Sequence, residues 1–208
     1  MNENLHIAVL IMAAGASSRM KGIKQLLPWK DSNFLLETIS TAKESNADSV
    51  YVVLGANAET IMSECKLQEK DTTVFFNPNW SLGLGNSIAF GVKRLSESSS
   101  LPDGILICLA DQPLLSATYL DLLISNFKKD SSKLIATNYK NRVGVPALFP
   151  KSIYPKLLLL EGDQGAKDLL NASYDELVQL DPGLQSLDID TKLEYNQLIK
   201  QTNFQNEN

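Results

Sequence analysis

The chain has 208 residues, 44% of them hydrophobic and 21% charged, and its 19 basic and 24 acidic side chains leave a formal net charge of −5. That balance suits an ordinary globular domain and argues against duplex nucleic acid as the main partner, which needs a broad basic face. Two cysteines and one histidine are too few for a four-thiolate zinc site, and no apolar run is long enough to span a bilayer or act as a leader, so the composition predicts a cytoplasmic protein with reduced thiols and no membrane partner.

In chain order, short β-branched runs alternate with amphipathic stretches of helix length. Strands are predicted at Ile7 to Met12, Ser49 to Leu54, Thr72 to Phe76 and Gly104 to Leu109, with a weaker one at Lys133 to Thr137. Helices are predicted at Phe34 to Asn46, Ala58 to Lys66, Asn86 to Leu95 and Ser116 to Phe127. This alternation implies βαβ crossovers and an α/β fold with a mostly parallel sheet covered on both faces. After Tyr139, Gly144, Pro146 and Pro150 break the pattern into short apolar runs. Leu157 to Leu160 and Ala166 to Leu170 read as helical, and Glu176 to Leu180 as a late strand. Thr191 with Glu194 forms a capping box that opens a last helix. Phe75, Phe76 and the Leu157 to Leu160 run read as core, Cys108 as a small buried residue, and Ser96 to Ser100 as a surface loop. One domain is expected over 1–200, followed by a polar tail at 201–208.

Several stretches carry chemistry. The loop after the first strand, Ala13-Ala14-Gly15-Ala16-Ser17-Ser18-Arg19, followed by Lys21 and Lys24, joins small residues with basic ones. Small residues let backbone N–H groups approach phosphate oxygens, and the basic side chains add a fork and a point charge. It matches neither the P-loop nor the G-x-G-x-x-G spacing. On spacing alone it reads equally as a strand–helix turn with surface basics. Gly83-x-Gly85-x-Ser87 reads as a nucleotide contact or as a tight turn with Asn86 or Ser87 as helix cap. Asp111 ends an apolar strand, where a carboxylate faces a ligand crevice, or it begins the turn at Pro113. Asp190, with Asp188 beside it, is a second metal ligand or a charge that stabilises the helix dipole. Trp80 reads as pocket lining or as rim packing.

Together these stretches resemble the MobA-like nucleotidyltransferases, nearest to the molybdenum cofactor cytidylyltransferases. The resemblance is carried by the Ala13 to Met20 loop, Lys24-Gln25-Leu26-Leu27-Pro28, Asn79 to Ser87, Asp111-Gln112-Pro113, Gly144-Val145-Pro146, Gly162-Asp163-Gln164-Gly165-Ala166-Lys167 and Asp188 to Thr191. It implies a three-layer α/β/α sandwich with a Rossmann-like nucleotidyltransferase sheet. It also implies transfer of a nucleoside monophosphate from an NTP, CTP favoured over GTP, to a phosphorylated acceptor such as molybdopterin. A molybdoenzyme partner follows from the same resemblance. Ala13, Ala14, Gly15, Ser17, Ser18, Arg19 and Lys24 would hold the triphosphate, with Gly83, Gly85 and Ser87 on the base and ribose. Arg19, Lys24 and Asp111 would be catalytic, and Asp111 and Asp190 would hold Mg²⁺. The chain departs from the family pattern at Lys21, which precedes Gly22, at Val145, where histidine is common, and at Lys167, where arginine is common. Two other functions remain open: nucleotidyl transfer to a sugar phosphate or other small molecule, and nucleotide binding without turnover.

Overall fold

The computed structural model describes residues 5–18, 20, 22–98, 100–140, 142–173, 177–183, 185 and 187–206, with side chains through 201. Along the chain run β1 (Ile7–Ala13), a small hairpin of β2 (Pro28–Trp29) and β3 (Ser32–Asn33), α1 (Phe34–Glu44), β4 (Ser49–Leu54), α2 (Ala58–Glu64), β5 (Thr73–Phe76) and α3 (Leu84–Ser96). There follow β6 (Gly104–Leu109), α4 (Ala117–Lys129), β7 (Ile135–Asn138), β8 (Val143–Pro150), α5 (Tyr154–Leu157), α6 (Lys167–Ala172), β9 (Val178–Leu180) and α7 (Lys192–Asn206). Seven of the strands form one sheet in the order β5-β4-β1-β6-β8-β7-β9. β1 pairs in parallel with β4 and β6, β4 with β5, and β7 with β9, whereas β8 runs antiparallel to β6 and β7.

β1 is buried along its whole length, and its side chains alternate between two cores. Ile7, Val9 and Ile11 meet Leu35 and Ile39 of α1 and Leu120, Leu123 and Phe127 of α4. Ala8, Leu10 and Met12 meet Ile88, Val92 and Leu95 of α3, with Leu157 of α5 and Leu170 of α6 in the same cluster. The sheet therefore lies between two helical layers, the α/β/α sandwich expected. Each large apolar side chain buried this way contributes roughly 1.5–3 kcal/mol over leaving it in water. A third cluster of Trp29, Phe34, Ile189 and Leu198 packs α7 and the hairpin against the start of α1.

Helix starts are set by local polar chemistry. Asn33 Oδ1 accepts from Leu36 N–H at 2.9 Å, and Ser116 Oγ from Tyr119 N–H at 3.2 Å. The capping box forms as expected: Glu194 N–H donates to Thr191 Oγ1 at 3.2 Å, and Thr191 N–H to Glu194 Oε2 at 2.7 Å.

Four expectations are corrected. The stretch after Tyr139 is not broken runs: β8 is a strand of 8 residues in the middle of the sheet. Its pairing with β7 steps from Ala136↔Ala147 to Thr137↔Gly144, and its pairing with β6 stops at Ala147. Pro146 therefore sits in the irregularity, where the missing N–H interrupts no ladder bond. Phe76 is not core but 50% exposed, because β5 is the edge of the sheet. The leucine run is likewise not all core: Leu157 is fully buried, but α5 ends there and Leu159 is 80% exposed. The surface loop begins later than expected, since Ser96 still belongs to α3. The late strand is seen as Val178–Leu180, and Glu176 lies outside the described residues. Among the described residues, no helix is long and apolar enough to cross a membrane.

Candidate active site

A cavity of about 510 Å³ opens where β1 and β6 end, lined by Met12, Ala13 and Ala14 at the end of one strand and Leu109, Ala110 and Asp111 at the end of the other. In parallel sheets, the carboxyl ends of adjacent strands are where ligands bind.

The loop after β1 forms one wall, through Gly15, Ala16, Ser17 and Ser18. Its course is fixed from below by Gln25, which is buried. Gln25 Nε2 donates to Ala13 O at 2.9 Å and Gly15 O at 3.0 Å, and its Oε1 accepts from Ser17 Oγ at 3.3 Å. Ser17, in the left-handed region at φ 56°, also accepts from Lys24 N–H at 3.0 Å. Lys24 is thereby brought back under the loop. Neither packing nor a positive φ demands glycine at 15: a Cβ there would meet nothing within 4 Å. Gly15 lines the cavity, so its small size leaves room for whatever enters.

Trp80, Ser81, Gly83, Leu84 and Ser87 form the opposite wall, with Asp163 at its edge. Trp80 thus both lines the cavity and packs, since it leaves no room for a Cβ at Gly55. Gly83 has φ +102° and caps α3, which starts at Leu84 rather than at Asn86; the expected cap at Asn86 or Ser87 is corrected accordingly. The Ser87 hydroxyl is engaged within the wall, accepting from Asn77 Nδ2 at 3.0 Å and donating to Gly83 O at 3.2 Å.

Gly85 does not line the cavity. A Cβ at this position would fall 2.5 Å from Glu161 O, 2.8 Å from Glu161 C and 2.9 Å from Glu161 N, and Gly85 N–H donates to Gly162 O at 2.7 Å. Its glycine is required by the backbone packed on it. A valine at 85 would be expected from sequence to weaken nucleotide binding with little loss of stability. The contact reverses that expectation. Gly85→Val is expected to destabilise the fold by about 1–3 kcal/mol, as overpacking against rigid backbone does. A thermal melt unchanged within error would contradict this.

The polar centre of the cavity is Lys24 between two carboxylates. Its Nζ lies 2.6 Å from Asp111 Oδ2 and 2.8 Å from Asp190 Oδ1, and its side chain is only 12% exposed. Burial works to lower the Lys24 pKa, but the charge and hydrogen bond of Asp111, and then those of Asp190, outweigh it and leave the pKa raised. The second oxygen, Asp111 Oδ1, is buried without a hydrogen-bond partner. Backbone pairing sets the geometry: Ile189 N–H donates to Asp111 O at 3.1 Å, which brings the 188–190 segment alongside β6. Asp188 turns the other way, accepting from Gln112 Nε2 at 2.7 Å and facing Arg142 at 3.6 Å. Burial, reinforced by Asp111, pushes its pKa up to about 6.

Ala13, Ala14, Gly15, Ser17, Ser18, Lys24, Gly83, Ser87, Asp111 and Asp190 thus meet around one cavity, though they are spread over 178 positions of sequence, from 13 to 190. Arg19, like Lys21, lies outside the described residues. Gln25 and Asp163 were not assigned roles from sequence, although both fall in motifs that carried the resemblance. Among the described residues, no group of three or more His, Cys, Asp or Glu is placed to hold a metal. Two carboxylates such as Asp111 and Asp190 would be enough for a divalent ion of the Mg²⁺ kind, which takes one or two carboxylates and completes its shell with substrate phosphates and water. The unpartnered buried oxygen of Asp111 fits that chemistry.

A family model described as the MobA-like NTP transferase domain matches residues 9–178. The chain is 30% identical over 200 residues to the purine catabolism protein PucB of Bacillus subtilis, covering 89% of this chain and 92% of that one. It is 29% identical over 168 residues to the nicotine blue oxidoreductase of Paenarthrobacter nicotinovorans, covering 77% and 79%. The manganese complex of Rv0371c from Mycobacterium tuberculosis superposes with a TM-score of 0.76 at 26% identity, covering 94% of this chain and 98% of that one.

Proposed function

The chain belongs to the MobA-like NTP transferase family and is a nucleotidyltransferase of that type, and from this premise we propose that it transfers CMP from CTP to the phosphate of molybdopterin, releasing pyrophosphate. The observation that carries the reading is the convergence of the small-residue loop, Lys24 and the Asp111–Asp190 pair on one cavity. A triphosphate needs backbone N–H groups and cations on one side, and a metal-binding carboxylate on the other. CTP rather than GTP, and molybdopterin rather than another phosphorylated acceptor, follow from the Ala13-Ala14-Gly15 form of the loop and its resemblance to the cytidylyltransferases.

An oxygen of the acceptor phosphate attacks the α-phosphorus in line, and the bond from that phosphorus to the bridging oxygen breaks as pyrophosphate leaves with its electrons. The acceptor is already anionic near neutral pH, so no residue need act as a base. Asp111 and Asp190 would hold Mg²⁺, which neutralises charge on the phosphates when bound; manganese in Rv0371c supports a divalent ion. The Ala13 to Ser18 loop orients the triphosphate, while Arg19 and Lys24 offset the charge that grows on the leaving group. The proposed setting is the cytoplasm, where a molybdoenzyme would receive the product.

Pyrophosphate release with each of the four NTPs, with and without molybdopterin, tests the proposal. Release with CTP that requires molybdopterin supports it. Release that requires a sugar phosphate instead moves the acceptor to the other open class, and nucleotide binding without release would mark a non-catalytic binder.

A further inference from the structure

The Lys24 ammonium bonds to both carboxylates that would hold the divalent ion. An octahedral Mg²⁺ would need oxygens at about 2.0–2.1 Å. An ion bound to Asp111 Oδ2 and Asp190 Oδ1 at that range would overlap the ammonium now 2.6 Å and 2.8 Å from the same two atoms. The unpartnered Asp111 Oδ1 offers an entering ion one protein ligand, and an ion that bridges Asp111 Oδ2 and Asp190 Oδ1 requires the ammonium to leave. Two like charges crowded on one carboxylate pair, in a largely enclosed setting, repel strongly.

Lys24 also has somewhere to go. Its backbone N–H is fixed on Ser17 Oγ, beneath the loop that lines the cavity, so the four-carbon stem can swing without the main chain moving. A triphosphate on that loop offers the ammonium anionic oxygens in exchange for the carboxylates.

We propose that Lys24 is a resident counter-cation that closes the Asp111–Asp190 pair to free divalent metal until a triphosphate draws it away, so that metal and nucleotide load together. Ion affinity is low in the nucleotide-free protein and rises when a triphosphate enters. A free divalent ion cannot then occupy the site as a dead-end state. This rests on the reading that Asp111 and Asp190 are the metal ligands.

The test is Mn²⁺ binding to the whole protein, read from the free-ion electron paramagnetic resonance signal, with no turnover involved. Lys24→Gln removes the charge and keeps a polar side chain. It is expected to tighten Mn²⁺ binding without nucleotide by about tenfold or more, the scale on which neighbours of a metal site act. Beyond the Mn²⁺ that the nucleotide binds in protein-free buffer, a non-hydrolysable α,β-methylene CTP is expected to tighten binding to the wild type by more than it tightens binding to Lys24→Gln, which keeps only the gain from the phosphate ligands. Lys24→Arg, which keeps the charge, should bind Mn²⁺ as weakly as the wild type, and serves as the second variant should Lys24→Gln not fold. Equal Mn²⁺ affinity of wild type and Lys24→Gln overturns the proposal, as does Mn²⁺ affinity in Lys24→Arg that differs from the wild type where Lys24→Gln is unfolded. Adding Asp111→Asn separates the two readings: if it leaves the tightened binding intact, the metal ligands are elsewhere and the underlying assignment fails.

Discussion

Asp111→Asn is expected to lower the rate of pyrophosphate release by at least about a hundredfold, the upper range for residues that only support a metal site, while leaving the fold intact. The side chain stands at the carboxyl end of β6, on the cavity wall, with Oδ2 on Lys24 and Oδ1 buried without a partner. An amide of the same shape keeps the packing but removes the negative charge that a divalent ion needs. The fold survives for two reasons. The tie from Ile189 N–H to Asp111 uses the backbone carbonyl, and Lys24 keeps Asp190 as its counter-ion. Steady-state release at saturating Mg²⁺, CTP and acceptor, alongside a thermal melt, checks both halves. Near-normal Mg²⁺-dependent turnover by a folded variant would remove Asp111 from the chemistry.

Arg19→Ala carries the other large effect. In the sequence Arg19 directly follows Ser18, and the family resemblance puts it on the triphosphate. If its guanidinium meets charge that grows as pyrophosphate departs, its loss lowers kcat more than it raises KM. Removing one such contact typically costs about 10²–10³-fold in rate. Arg19→Lys keeps the charge without the bidentate fork and should recover part of the loss. A raised KM with kcat preserved would instead assign Arg19 to ground-state binding. Unchanged kinetics in Arg19→Ala would make it a surface residue.

The alternation of runs is enough to read the parallel half of the sheet, because β1, β6 and the carboxyl half of β4 are buried on both faces and leave near-continuous apolar strings. β8 escaped because Pro146 argues against a central strand in one dimension. Only the register step beside it, a three-dimensional fact, shows how the ladder tolerates it. Exposure at Phe76 and Leu159 was illegible for a related reason: a run of apolar letters does not say whether its strand is an edge or where its helix stops.

At the site, sequence order suggested most of the participants but not their orientation. Gly85 sits in a glycine motif beside a ligand-sized space, yet its missing side chain accommodates the backbone of Glu161. Asp188 and Asp190 look interchangeable in sequence. Asp190 shares Lys24 with Asp111, while Asp188 is turned to Gln112. Gln25 could be quoted as part of a motif, but its function as the brace under the loop appears only from its bonds to Ala13 and Gly15.

The central claim is that this cavity moves a nucleoside monophosphate from a triphosphate to a phosphorylated acceptor. Its most direct test is to follow CTP labelled on the α-phosphorus through reaction with molybdopterin and Mg²⁺. The expected result is label in the acceptor product, formed one for one with pyrophosphate, and lost in Asp111→Asn. Bound CTP with its label retained on the nucleotide, and no pyrophosphate under any of the four NTPs or acceptors, would contradict it.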